Sequence, residues 1–172
     1  MAPLPSELPH GPVVDTNIFF DFLLWRFCTD RAIRLPTCLE DTFAAESSRR
    51  ALQWYLERAT PLHTSPHVIA EIHGLIKARA KWREPRIAEF WLYAQAELDR
   101  LRVVEHLIQL VSMNRDDLVR FGPTDDSILE IAVRTDSAVI TDDLALRERL
   151  TLEQIPGLTR WEILAHWQCS GG

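Results

Sequence analysis

The segment Gly-Pro-Val-Val-Asp-Thr-Asn-Ile-Phe-Phe-Asp, residues 11–21, limits the folds open to this chain more than any other stretch. Pro12, Val13 and Val14 form a short apolar run of the kind that makes a buried parallel strand. Asp15 follows at once. Residues 17–27 are apolar on nearly every side and suit a buried helix. A carboxylate at that junction sits at the carboxyl end of a strand, where open α/β sheets place their ligands. Burying an acid there is costly unless something positive pairs with it. A divalent cation is the expected partner.

A second junction of the same kind lies far along the chain. Ala138-Val139-Ile140 reads as another buried strand, and Thr141, Asp142 and Asp143 follow it. Between the two junctions, Ser65-Pro66 is a favourable helix start, a capping hydroxyl with proline at the first helical position. Val68, Ile69, Ile72, Leu75 and Ile76 follow at helical spacing. Glu71 lies among them and is expected on the apolar face. Gly122-Pro123 punctuates strongly, and Thr124 is expected to cap a helix carrying Asp125 and Asp126 in its first turn.

Further strands are expected near 62–64, 103–104 and, at an edge, 155–158. Further helices are expected over 41–60, 86–100, 114–121 and 144–150, with Pro85 breaking the run before Arg86. Helices alternating with short apolar strands indicate an α/β fold with a mainly parallel sheet. The 172 residues, 47% of them apolar, suffice for one domain. Residues 1–11 are expected to be a flexible proline-rich leader, without the basic region of a secretory signal, and 12–172 a single domain. Three widely spaced cysteines, Cys28, Cys38 and Cys169, indicate neither a disulfide framework nor a zinc ribbon, and point to a reducing cytoplasm. No apolar stretch is long enough to span a membrane.

Oxygen-rich sites suit hard cations such as Mg²⁺ and Mn²⁺. Such ions can orient a phosphodiester and activate water, with no Ser, Cys or His nucleophile required. Each acid also has an ordinary reading. Asp126 complements a helix dipole, Asp142 and Asp143 can cap a helix, and Glu71 can pair with Lys77 or Arg79. A phosphatase with an aspartyl nucleophile at Asp15 is a different chemistry, but it needs a second Asp two residues on, where Asn17 stands.

The four acidic segments, around Asp15, Glu71, Asp125 and Asp143, together resemble the motifs of PIN-domain ribonucleases, which include the VapC-type toxins. The resemblance spans about residues 12–150. It implies a three-layer α/β/α sandwich and Mg²⁺- or Mn²⁺-dependent cleavage of single-stranded RNA. It also implies Asp15, Glu71, Asp125 and Asp143 as catalytic metal ligands. Asp125 is chosen over Asp126 by its spacing to Ala132, and Asp143 over Asp142 by its spacing from Thr141. Asn17, Thr141, Asp126 and Asp142 would be supporting residues. The resemblance extends to a toxin role with an antitoxin-like partner. The alternative is a catalytically inactive module of the same fold that binds RNA or protein. One departure from the small relatives is an enlarged region between residues 29 and 60.

The net charge of −6 argues against broad non-specific nucleic-acid binding. Against that background Lys77, Arg79, Lys81, Arg83 and Arg86 stand out as a phosphate-tracking patch that includes Trp82 as a candidate stacking aromatic, while the tryptophans as a group read as core or interface anchors rather than base-stacking platforms. His63, His67 and His73 match no zinc spacing. Trp161 and Trp167 are expected to pin the C-terminal segment, and apolar helix faces suggest a homodimer.

Overall fold

The computed structural model describes residues 10–40, 46–109 and 115–170. The expected leader and the start of the helix expected from residue 41 lie largely outside these residues, as does Asn114.

Five two-residue strands form one all-parallel sheet: β1 (Val13–Val14), β2 (His63–Thr64), β3 (Val104–Glu105), β4 (Val139–Ile140) and β5 (Gly157–Leu158). Their order is β3-β2-β1-β4-β5. The chain thus builds outward from β1 in one direction, then returns to lay β4 on its other side. Val13 pairs with His63 on one flank and with Val139 on the other, and Val14 pairs with Ile140. This register brings the two residues that follow the strands, Asp15 and Thr141, side by side.

Eight helices occur among the described residues: α1 (Thr16–Asp30), α2 (Thr37–Glu40), α3 (Glu46–Arg58), α4 (Pro66–Leu75), α5 (Glu84–Arg100), α6 (Arg115–Thr135), α7 (Leu144–Leu152) and α8 (Arg160–Cys169). The arrangement is α/β and compatible with a three-layer sandwich. None of these helices is long and apolar enough to cross a membrane.

α1 is the centre of the core. Ile18, Phe19, Phe20, Phe22, Leu23, Leu24 and Phe27 are all fully buried on it. A helix apolar all round must be enclosed, and α3, α4 and α5 pack against it. α3 also packs extensively on α8, which covers the apolar stripe of Leu52, Tyr55 and Leu56. α4 is continued by a π-helical turn, Ile76–Ala80, ending at Lys81 in the left-handed region (φ 55°). α6 is kinked at Gly122, where φ is 85° and Pro123 follows.

Three sequence expectations are met or corrected here. The helical run is interrupted as expected, at residues 81–83 between the π-helical turn and α5, and Pro85 itself lies in the first turn of α5, where a missing N–H costs nothing. Trp161 is 66% exposed, so it pins nothing; Ile163, Leu164 and His166 are the buried residues of α8, and Trp167 packs against the core. Trp82 is half-buried against the core, the anchor role expected of the tryptophans. It packs into an aromatic cluster, with ring centroids 5.4 Å from Phe27 and 6.1 Å from Phe90.

Gly11 starts the ordered path into β1 with φ 72°. A Cβ there would lie 1.7 Å from the Pro61 carbonyl oxygen, so only glycine fits.

Candidate functional site

The sheet order reverses at β1 and β4, and the crevice at their carboxyl ends is where an open parallel sheet can receive a ligand. Asp15 lies there, 4% exposed. Thr141 Oγ1 donates to Asp15 Oδ2 at 2.8 Å. Burial pushes the Asp15 carboxyl up to about 6. The Thr141 and Thr16 hydrogen bonds oppose that rise, while the charges of Asp143 and Glu71 add to it.

Glu71 reaches this crevice from α4. Thr16 Oγ1 donates to Glu71 Oε2 at 3.0 Å. Glu71 is exposed, which corrects its expected place on the apolar face. The buried residues of α4 are Val68 and Ile72, and Glu71 flanks that stripe. α4 is in turn tied to α6. Ser65 caps α4 by accepting from Val68 N–H, and its Oγ lies 2.8 Å from Ser127 Oγ. Ser127 Oγ donates to the Thr124 carbonyl at 2.7 Å, at the start of the helical segment that carries Asp125. This hydroxyl chain fixes the Glu71 and Asp125 helices relative to one another. Nothing in the local sequence signalled it.

Asp125 is the most perturbed of these acids. Its carboxyl is raised to about 7, first by burial and then by the like charges of Asp15, Asp143 and Glu71. Asp126, its neighbour, is buried. Asp143 is the N-cap of α7: its Oδ1 accepts from Leu146 N–H at 2.9 Å, and its own N–H donates to Thr141 Oγ1 at 3.0 Å. Thr141 thus holds the Asp15 and Asp143 positions together.

Asp142 is turned to a different task. Its Oδ1 accepts the Arg160 backbone N–H at 3.0 Å, and its Oδ2 pairs with Arg160 Nε. Arg160 Nη1 also donates to Asp21 Oδ2 at 3.0 Å. Asp21 is 4% exposed, and burial pushes it up to about 6 even against the Arg160 charge. Neither Asp21 nor Arg160 was singled out in the sequence. The signal available was Asp21 itself, an acid inside an otherwise apolar helix.

Asp15, Glu71, Asp125 and Asp143 therefore come from four separate elements to one crevice. The donor set is all carboxylate oxygen, the chemistry of a hard divalent cation. As placed, no group of three or more His, Cys, Asp or Glu among the described residues is disposed to surround one ion. The four acids lie within reach of each other's charge but do not converge.

Arg79, on the π-helical turn, donates to Asn17 Oδ1 at 3.1 Å, one turn from Asp15. Lys77, Lys81 and Arg83 are exposed nearby in sequence and form no ion pair among the described residues, whereas Arg86 pairs with Glu89 at 3.6 Å. The histidines are dispersed. His63 Nδ1 lies 2.9 Å from His106 Nε2, and His73 Nδ1 accepts from Trp91 Nε1 at 3.0 Å.

Neither protein-family models nor characterised proteins gave a match to this chain.

Proposed function

We infer that this chain is a divalent-metal-dependent endoribonuclease with a PIN-like domain, acting on single-stranded RNA. The observation that carries this reading is that Asp15, Glu71, Asp125 and Asp143 lie within reach of each other's charge at the β1–β4 crevice. Asp15, Asp125 and Asp143, with Glu71, would hold Mg²⁺ or Mn²⁺. Once bound, the ion would offset their repulsion, activate water and stabilise charge on the phosphodiester.

The remaining residues have roles of their own. Thr141 orients Asp15, and Thr16 orients Glu71. Arg160 engages both oxygens of Asp142, which leaves Asp143 as the acid of that pair facing Asp15 and Asp125. Arg79, bonded to Asn17, together with the exposed Lys77, Lys81 and Arg83 that neighbour it in the chain, would supply positive charge for a polyanionic strand.

Purified protein is expected to cleave single-stranded RNA with Mn²⁺ and to stop with chelator. Asp15→Asn is expected to lower the rate by at least ~10²-fold, since several kcal/mol of charge stabilisation is lost. Equal rates for the variant and wild type would sink the proposal. One observation favours a second reading, an RNA-binding module without catalysis: the four acids do not converge on one point. Calorimetry separates the two, because the second reading requires RNA binding with no heat of Mn²⁺ binding.

A further inference from the structure

His63 is the first residue of β2 and is 7% exposed. It pairs in register with Val104 of β3. His106, two residues beyond Val104, continues that ladder: its N–H donates to the Thr64 carbonyl at 2.9 Å. The two imidazoles meet, with ring centroids 5.0 Å apart and His63 Nδ1 2.9 Å from His106 Nε2. The other nitrogen of His63, Nε2, lies 2.5 Å from the His10 carbonyl oxygen. Neither histidine belongs to the carboxylate crevice.

A carbonyl oxygen only accepts, so His63 Nε2 carries a proton. Neutral His63 then has a bare Nδ1, and His106 Nε2–H donates to it. A first added proton can enter at His106 Nδ1 and leaves both hydrogen bonds in place. A second must go to His63 Nδ1. Two N–H groups and two positive charges would then face each other across 2.9 Å with no acceptor between them. The pair therefore tolerates one proton and not two. A cavity of about 410 Å³ beside His63 is lined by His10, Pro61, Arg134, Thr135 and Asp136. Arg134, near the end of α6, pairs with Glu130 at 2.7 Å, and Glu105, next to His106 in the chain, is exposed. Burial, then His63 and Arg134, hold the His106 imidazole below its ordinary value.

We propose that the His63–His106 pair is a proton-operated latch between β2 and the chain that follows β3, closed with at most one proton and open with two. Opening frees the half-buried His106 ring. The backbone bonds from Val104 N–H to Leu62 and from His106 N–H to Thr64 hold β3 itself, so the response is confined to residues 106–109. Imidazoles of the unfolded chain take their protons near about pH 6.5. The folded pair takes its second proton only at lower pH, so its contribution to stability is complete above about pH 7 and declines on acidification.

Ring-nitrogen NMR of the full chain between about pH 8 and about pH 4.5 tests the latch. At the upper end His63 is expected as the Nε2–H tautomer. On acidification the pair should titrate in two separated steps, with the amide signals of residues 106–109 moving at the second. His106→Gln removes one titrating ring but keeps the contact, because its side-chain amide can donate to His63 Nδ1 or, turned over, accept from it. In that variant the 106–109 response should vanish. Its loss of stability from about pH 7 to about pH 5 should be roughly tenfold smaller, as a ratio of unfolding constants, than that of wild type. Comparing the two chains cancels Asp15 and Asp125, which titrate in the same range with the opposite sign. An Nδ1–H tautomer of His63 in wild type at about pH 8, parallel titration of the two rings, or the same 106–109 response in His106→Gln would each overturn the proposal.

Discussion

Asp15 illustrates how one residue can be costly to the fold that holds it. Its burial raises the carboxyl from 3.8 to about 6, and Thr141 offsets only part of the cost. The native state therefore binds more protons than the unfolded state between those values. Stability from this group is present at low pH and lost as pH rises through the window from about 4 to 6. Asp125, raised to about 7, acts in the same direction over a window reaching closer to neutrality. In chelator at pH 7.5, Asp15→Asn is expected to be more stable than wild type, on the order of 2 kcal/mol. That advantage should shrink towards zero near pH 4. Mn²⁺ should stabilise wild type and not the variant. Urea melts across this pH range measure both effects; a variant less stable than wild type at pH 7.5 in chelator would contradict the account. Asp15 was the acid most legible in the sequence, because a short apolar run ending in an acid is a local pattern. The resemblance chose Asp143 over Asp142 by spacing, but what Asp142 does instead, its pairing with Arg160 18 residues further on, was not legible.

Among the elements, α8 and the π-helical turn have effects beyond their own packing. α8 presents Arg160 at its first turn, where it bridges Asp142 after β4 and Asp21 inside α1. Arg160→Met would leave Asp21 buried without its cation. Breaking such a pair costs about 3–5 kcal/mol when the remaining charge persists. Asp21 can protonate instead, so the loss is expected to be larger at pH 8 than at pH 5. Adding Asp21→Asn should recover most of it. Denaturation of the single and double variants at both pH values checks this, and an Arg160→Met loss independent of pH would count against it. The π-helical turn, a feature often found at functional sites, carries Arg79 to Asn17. If Lys77, Arg79, Lys81 and Arg83 all follow phosphates, replacing the four with Gln should reduce the salt dependence of RNA binding by roughly 3 in log–log slope. Fluorescence anisotropy between low and moderate salt measures that slope. Unchanged slope would assign these residues to an ordinary solvated surface.

At the scale of the whole molecule, the sheet order β3-β2-β1-β4-β5 creates the crevice, since a reversal of winding leaves β1 and β4 adjacent while the connections that leave them run to opposite sides. The sequence by itself determined the two strand–acid junctions, the enclosed character of α1, the Ser65 cap and the break at Gly122-Pro123. Each of these is written in consecutive residues, through apolar runs, helical spacing or backbone restriction. Only the tertiary structure decided that Thr16 holds Glu71 across 55 positions and that Arg160 meets Asp21 across 139. It also decided that Trp82 packs against the core and Trp161 does not. A hydrogen-bond or ring partner brought in from another element leaves no periodic trace in the local sequence. Its identity is set by which strands pair and in what register, and that depends on the burial of α1 by the whole chain.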